Sequence, residues 1–247
     1  MRFDEGGTSA LSWMVEMHGM HPCPSGWVEG PWSEREITIS IAAGEIRGTL
    51  TLPSAAIGLA IFPQGSASSR HSTRNRTVAQ VLQQARVGTL VFDLLTEYEE
   101  RFDRVTRRLR SDIGLLSRRL LNVTTWVRTQ PRIDWLPLGY HGVSTGAAAA
   151  LVAAARNRVT IRAVVSRSSR PVLAGRSLRR VRAPTMLIAG GEDSRTIRSY
   201  QEAMRRMRCP VDLEVVPGAT HLFEEPGALV RSAELAASWF TRHLPEE

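Results

Sequence analysis

The sequence predicts an α/β protein: a mostly parallel central sheet flanked by helices on both faces, with an antiparallel N-terminal edge. Three observations carry this. Short apolar runs of strand length alternate with segments of helical spacing. Those runs are apolar along their length, as strands covered on both faces must be. The first two runs are joined by a short Gly-containing turn, which reads as a hairpin.

The elements follow in order. Residues 37–41 and 46–52 are the hairpin strands, turning at 42–44. A third strand, 58–62, ends at Pro63-Gln64-Gly65. Residues 77–84 have helical spacing, with Val78, Val81 and Leu82 on one face. The strand at 89–92 ends at Asp93. Residues 97–119 are strongly charged and lead into an apolar stripe of Ile113, Leu116, Leu120, Leu121 and Trp126. That pattern is a charged approach to a core-facing helix, with a small lid as the alternative. The strand at 136–143 tolerates Pro137 near its start. The almost pure alanine run 147–155 is a strong helix former. Strands at 161–165, 185–189 and 211–216 follow, with helices at 196–207 and 227–244.

The chain has 247 residues, 43% hydrophobic and 23% charged. This size and composition give one large core and argue against disorder. We read residues 1–33 as an N-terminal extension and 34–247 as a single domain. No apolar run reaches the roughly 20 residues needed to cross a bilayer. Two cysteines, Cys23 and Cys209, exclude a disulfide scaffold. With no export signal they fit a cytoplasmic location. His18, His21 and Cys23 lie close together but lack a convincing fourth metal ligand, so no metal is expected. The net charge is +8, and all 32 basic residues are arginine. They are spread along the chain without interleaved aromatics, which argues against a nucleic-acid partner. No membrane partner is expected, and a homo-oligomer stays open.

The chemistry centres on Gly142-Val143-Ser144-Thr145-Gly146, a G-x-S-x-G sequence between a predicted strand and a predicted helix. The turn must be sharp so that the serine hydroxyl stands clear of the sheet. A serine hydroxyl is a weak nucleophile until a base takes its proton. His221, in the loop after the strand at 211–216, is the candidate base. His141 lies inside the strand carrying the turn and reads as structural, while His243 is near the C-terminus. The base needs a carboxylate to hold its tautomer. Asp193, after the strand at 185–189, fills that role, with Glu192 as the alternate. Oxyanion donors are expected from the backbone N–H of Thr145 and from Ser66, or else Gly65.

These residues resemble the α/β-hydrolase superfamily, and within it the bacterial dienelactone-hydrolase-like group. The resemblance covers residues 36–244 and rests on four stretches. They are Gly65-Ser66-Ala67-Ser68-Ser69-Arg70-His71-Ser72, then Gly142 to Ala149, then Gly190-Gly191-Glu192-Asp193, then Pro217 to Pro226. It implies an α/β-hydrolase fold with Ser144, Asp193 and His221 as the triad. Two departures stand out. Gln64 replaces the usual His of the oxyanion loop. Ser144 replaces the cysteine nucleophile of dienelactone hydrolases, which favours a general carboxylesterase. Some similar proteins are fused to a phosphoribosyltransferase domain, and nothing in this sequence suggests one.

The expected activity is hydrolysis of small carboxylic esters or lactones through an acyl-enzyme, with no cofactor. One alternative is a dienelactone-type hydrolase of an anionic lactone, whose carboxylate would pair with Arg70 or, on the same loop, Arg74. The other is a catalytically silent hydrolase-fold protein used for binding or scaffolding.

Overall fold

In the computed structural model, which describes residues 32–65, 70–157 and 161–245, two ten-residue strands come first. β1 (Trp32–Ile41) and β2 (Gly44–Pro53) pair antiparallel along their whole length. Both outrun the apolar stretches that announce them, because polar cross-strand pairs continue the ladder. The hydroxyls of Thr49 and Thr51 donate to Glu36 and Glu34 at 2.5 and 3.2 Å. Such pairs suit a solvated edge.

The other strands are β3 (Gly58–Gln64), β4 (Val87–Asp93), β5 (Leu138–Val143), β6 (Ile161–Arg167), β7 (Thr185–Gly190) and β8 (Val211–Val216). They form one sheet in the order β1-β2-β4-β3-β5-β6-β7-β8. β2 meets β4 antiparallel, and the pairs from β4 to β8 are parallel. β2 is therefore the one reversed strand. β3 and β7 are buried at every residue, whereas β8, at the edge, is buried only at Val216.

Parallel neighbours need crossovers, which the helices supply. The crossover helices are α1 (Thr73–Gln84), α2 (Glu97–Thr106), α3 (Ile113–Val127), α4 (Thr145–Arg156) and α5 (Ser194–Met204); β6 and β7 are joined through a 3-10 segment instead, and α6 (Ala228–His243) follows β8. Side chains alternate along β3, so Leu59 and Ile61 enter one core and Ala60 and Phe62 the other. The first core includes Leu116 and Leu120 of α3 and Leu151 of α4. The second includes Val78 of α1 and Trp239 and Phe240 of α6. In α4, every residue from Gly146 to Ala155 is buried. Its small side chains let the helix lie close against the sheet directly after Ser144.

The charged stretch resolves into α2, a 3-10 turn at Leu109–Ser111, and α3. Thr96 and Glu99 form a capping box at the start of α2. Two acids of α2, Asp103 and Glu99, point inward, while Glu97 is exposed. Asp103 is fully buried and accepts from the N–H groups of Leu109 and Arg110 and from Arg110 Nε at 2.7, 3.2 and 2.7 Å. Glu99 takes Arg119 of α3 at 2.6 Å. Tyr98, Phe102 and Val105 face solvent instead. This inversion explains why the stretch reads as charged rather than amphipathic. A 3-10 segment, Pro171–Arg180, has no sequence expectation behind it. No helix among the described residues is long and apolar enough to cross a membrane.

Candidate active site

Ser144 ends the turn from β5 into α4 with φ 54° and ψ −125°. A non-glycine residue rarely holds this conformation, and it persists only where its surroundings fix it. Here the Ser144 N–H donates to the Arg167 carbonyl at 3.3 Å, and Ala147 N–H donates to the Ser144 carbonyl at 3.2 Å. The flanking glycines are required by contact. A Cβ on Gly142 would sit 2.3 Å from Ala147 Cα, and one on Gly146 would sit 2.7 Å from the Pro63 carbonyl oxygen.

His221 and Asp193 meet directly, with Nδ1 and Oδ2 2.5 Å apart. Asp193 is also the N-cap of α5. Its Oδ1 accepts from Thr196 N–H at 3.0 Å, and its Oδ2 accepts from the Thr196 hydroxyl at 2.5 Å. Burial alone would raise the carboxyl pKa. The hydrogen bonds from Thr196 and His221 outweigh it and hold the group below its ordinary value. Asp193 therefore stays ionised and able to orient the imidazole. Glu192, the alternate, is exposed.

The two loops are locked side by side. A Cβ on Gly190 would fall 2.3 Å from the Ala219 carbonyl oxygen. Glu192 N–H donates to that same carbonyl at 3.0 Å, and Gly191 N–H donates to Val216 at 2.8 Å. The Ser168 hydroxyl donates to the His221 carbonyl at 2.7 Å. The His221 side chain is 50% exposed and that of Asp193 12%. The imidazole is thus open to a ligand while its partner is sheltered.

Ser144, Thr145, Asp193 and His221 line one cleft of about 400 Å³. Ser168, Ser169, Arg170, Leu173, Arg195 and Thr196 complete its wall. The end of β3 abuts the same corner, since a Cβ on Gly65 would lie 3.4 Å from Thr145 Oγ1. Gln64 is buried and accepts from Asn75 Nδ2 at 2.7 Å, while its carbonyl accepts from Leu94 N–H at 2.9 Å. Gln64 thus latches the strand end rather than facing the cleft. Ser66 lies outside the described residues, as do His18, His21 and Cys23.

Arg70, expected to bind substrate, is not among the residues that line this cleft. Its backbone N–H and Nη1 donate to the two oxygens of Asp93 at 3.1 and 2.8 Å, and Nη2 lies 3.6 Å from Glu36. Asp93 caps the end of β4, so its carboxylate captures the guanidinium locally. Arg74 braces the His221 loop instead, with Nη1 3.4 Å from the Leu222 carbonyl and Nη2 3.2 Å from Glu224. His141 is structural, stacked on Phe62 with centroids 4.4 Å apart. Burial, aided by the charge of Arg167, pushes its pKa down to about 3.

Sequence reasoning missed Ser168, Arg170, Arg195 and Thr196. Thr196 carried a readable signal, because a donor three residues after an N-cap aspartate is the usual capping arrangement. Arg170 and Arg195 carried none among so many arginines.

The strand order, the single reversed strand and the strained serine turn between β5 and α4 define an α/β-hydrolase. No family model matches the chain. The structure of dienelactone hydrolase from Anabaena variabilis is 47% identical, covers 87% of this chain and 100% of its own, and superposes with a TM-score of 0.85. The chain belongs to the dienelactone-hydrolase-like family of α/β-hydrolases. It is also 51% identical over 214 residues to a Mycobacterium tuberculosis protein named "Putative phosphoribosyl transferase". That match covers 87% of this chain and 47% of the relative, so the chain spans about half the length of the curated relatives it matches. A carboxyl esterase from the fungus Tuber melanosporum shares the fold, with a TM-score of 0.68 and 13% identity over 90% of this chain and 92% of its own.

Proposed function

We propose that this protein is a serine hydrolase of small carboxylic esters or lactones, acting through Ser144, His221 and Asp193. The observation that carries the reading is the 2.5 Å contact between His221 and an ionised Asp193, in the same cleft as a serine held in a strained turn. In this reading Ser144 Oγ attacks the carbonyl carbon while His221 Nε2 takes its proton. The Thr145 N–H, at the free N-terminus of α4, receives the developing oxyanion. Ser66 N–H is the proposed second donor, and each such donor contributes about 3–4 kcal/mol to the transition state. The tetrahedral intermediate collapses with a proton from His221 to the departing alcohol. Water, activated by the same imidazole, then releases the acid. These steps call on no cofactor.

The test is hydrolysis of p-nitrophenyl acetate. Ser144→Ala should lower kcat by about 10³–10⁶-fold at unchanged fold. Wild-type protein that turns over neither chromogenic esters nor lactones would favour a binding or scaffolding role. The phosphoribosyl transferase name belongs to a relative roughly twice this length, and the hydrolase reading rests on this chain's own cleft.

A second reading, an anionic lactone or ester, is favoured by Arg170 and Arg195. Both line the cleft and are exposed. The one carboxylate among the described lining residues, Asp193, is already bound to His221. Exposed guanidinium groups in the cleft that holds the proposed nucleophile suit a substrate carboxylate. Arg170→Ala and Arg195→Ala should raise KM for p-nitrophenyl hydrogen glutarate by about 10-fold and leave p-nitrophenyl butyrate within twofold, as for loss of one charge-assisted hydrogen bond. Equal effects on both esters would count against charge recognition.

A further inference from the structure

Arg167 ends β6 and is 4% exposed, yet among the described residues no carboxylate pairs with its guanidinium. Its Nη1 donates to Ser232 Oγ over a long 3.4 Å, and its Nε is buried with no hydrogen-bond partner among the described residues. Burial pushes its pKa down to about 10, so it remains a cation at neutral pH. A buried, unpaired cation opposes folding, and an apolar side chain of similar volume is commonly neutral or stabilising in its place. Stability alone therefore gives no reason for an arginine here.

Its neighbours suggest another reason. The guanidinium carbon lies 5.4 Å from the centre of the Phe223 ring, within cation–π range. Phe223 stands two residues beyond His221, is buried, and holds a left-handed backbone with φ 55°. Such a conformation needs outside support. The backbone of Arg167 meets the other side of the site, because its carbonyl accepts the Ser144 N–H. The next residue, Ser168, reaches the His221 carbonyl. One strand end thus touches the nucleophile through its main chain and the base loop through its side chains.

We propose that Arg167 is a positioning residue, which holds Phe223 from beneath and so fixes His221 relative to Ser144. The proposal rests on the hydrolase reading of the cleft and adds a residue that touches no substrate. Removing the cation should loosen the imidazole without changing the binding wall.

The experiment compares Arg167→Met, Arg167→Lys, Phe223→Leu and the Met/Leu double variant. Arg167→Met should lower kcat about 10- to 100-fold, as expected for a small misplacement of a catalytic group, with KM within twofold. Its melting temperature should stay level or rise, and Arg167→Lys should recover most of kcat. Phe223→Leu should lower kcat similarly, and the double variant should be no slower than the worse single. Arg167→Met with kcat within twofold of wild type, or losses that multiply in the double variant, would overturn the proposal. If Arg167→Met does not fold, Phe223→Leu decides, and kcat within twofold of wild type would again overturn it. The His221 ring resonances in NMR give a readout independent of turnover. If wild-type protein hydrolyses no ester, the hydrolase reading fails. Shifted or broadened His221 resonances in Arg167→Met would still support the positioning role, and unchanged ones would refute it.

Discussion

One carboxylate of Asp193 serves two elements. It caps the first turn of α5 and receives the imidazole of His221. The helix N-terminus favours the anion, as does each donor on it. The folded-state pKa lies below the ordinary carboxylate value. Its contribution to stability is therefore present above the ordinary carboxylate range and is lost as pH falls through the depressed pKa. Asp193→Asn should melt lower than wild type at neutral pH, with the gap closing in acid; a gap that widens in acid would contradict this. In the proposed mechanism the same change stabilises the wrong imidazole tautomer, and kcat should fall by about 10³–10⁴-fold. At this scale Ser144, Asp193 and His221 were readable because each follows an apolar run in a loop. The place of Arg70 was not readable, because the carboxylate that holds it comes from the end of β4, at Asp93.

The decisive element is the turn from β5 into α4. Its glycines leave no space for a methyl group, and the atoms that would be struck belong to backbone. Gly142→Ala should cost at least about 2–3 kcal/mol, because backbone cannot yield as a side-chain tip can. Chemical denaturation measures it, and a loss under 1 kcal/mol would show a looser turn. The turn, α4 and the strands of the central sheet were all legible as local patterns. α2 was legible only as charge, since Asp103 and Glu99 find Arg110 and Arg119 inside and its apolar residues face out. The 3-10 segment at Pro171–Arg180 was not anticipated: its buried Pro171, Ala174 and Leu178 recur at helical spacing, but Pro171 and Gly175 punctuate so short a stretch like a loop.

Across the whole molecule, alternating strand and helix patterns dictated a parallel sheet covered on both faces, and the hairpin placed the antiparallel pair. They did not dictate the order β4-β3-β5 at the centre, which depends on how the crossovers pack. That order sets the ends of β5, β6, β7 and β8 side by side, so that loops some fifty and seventy-seven residues from Ser144 reach one cleft. The all-arginine surface contributes fixed cations, several of them tied to carboxylates at Asp93, Glu99 and Asp103. We propose that this convergence makes Ser144 a working nucleophile. It is tested most directly by peptide mapping after reaction with a fluorophosphonate. A single adduct on Ser144, forming about 100-fold or more slowly in His221→Ala, is the predicted result. Ester turnover with Ser144 unmodified, or with the adduct on another residue, would contradict it.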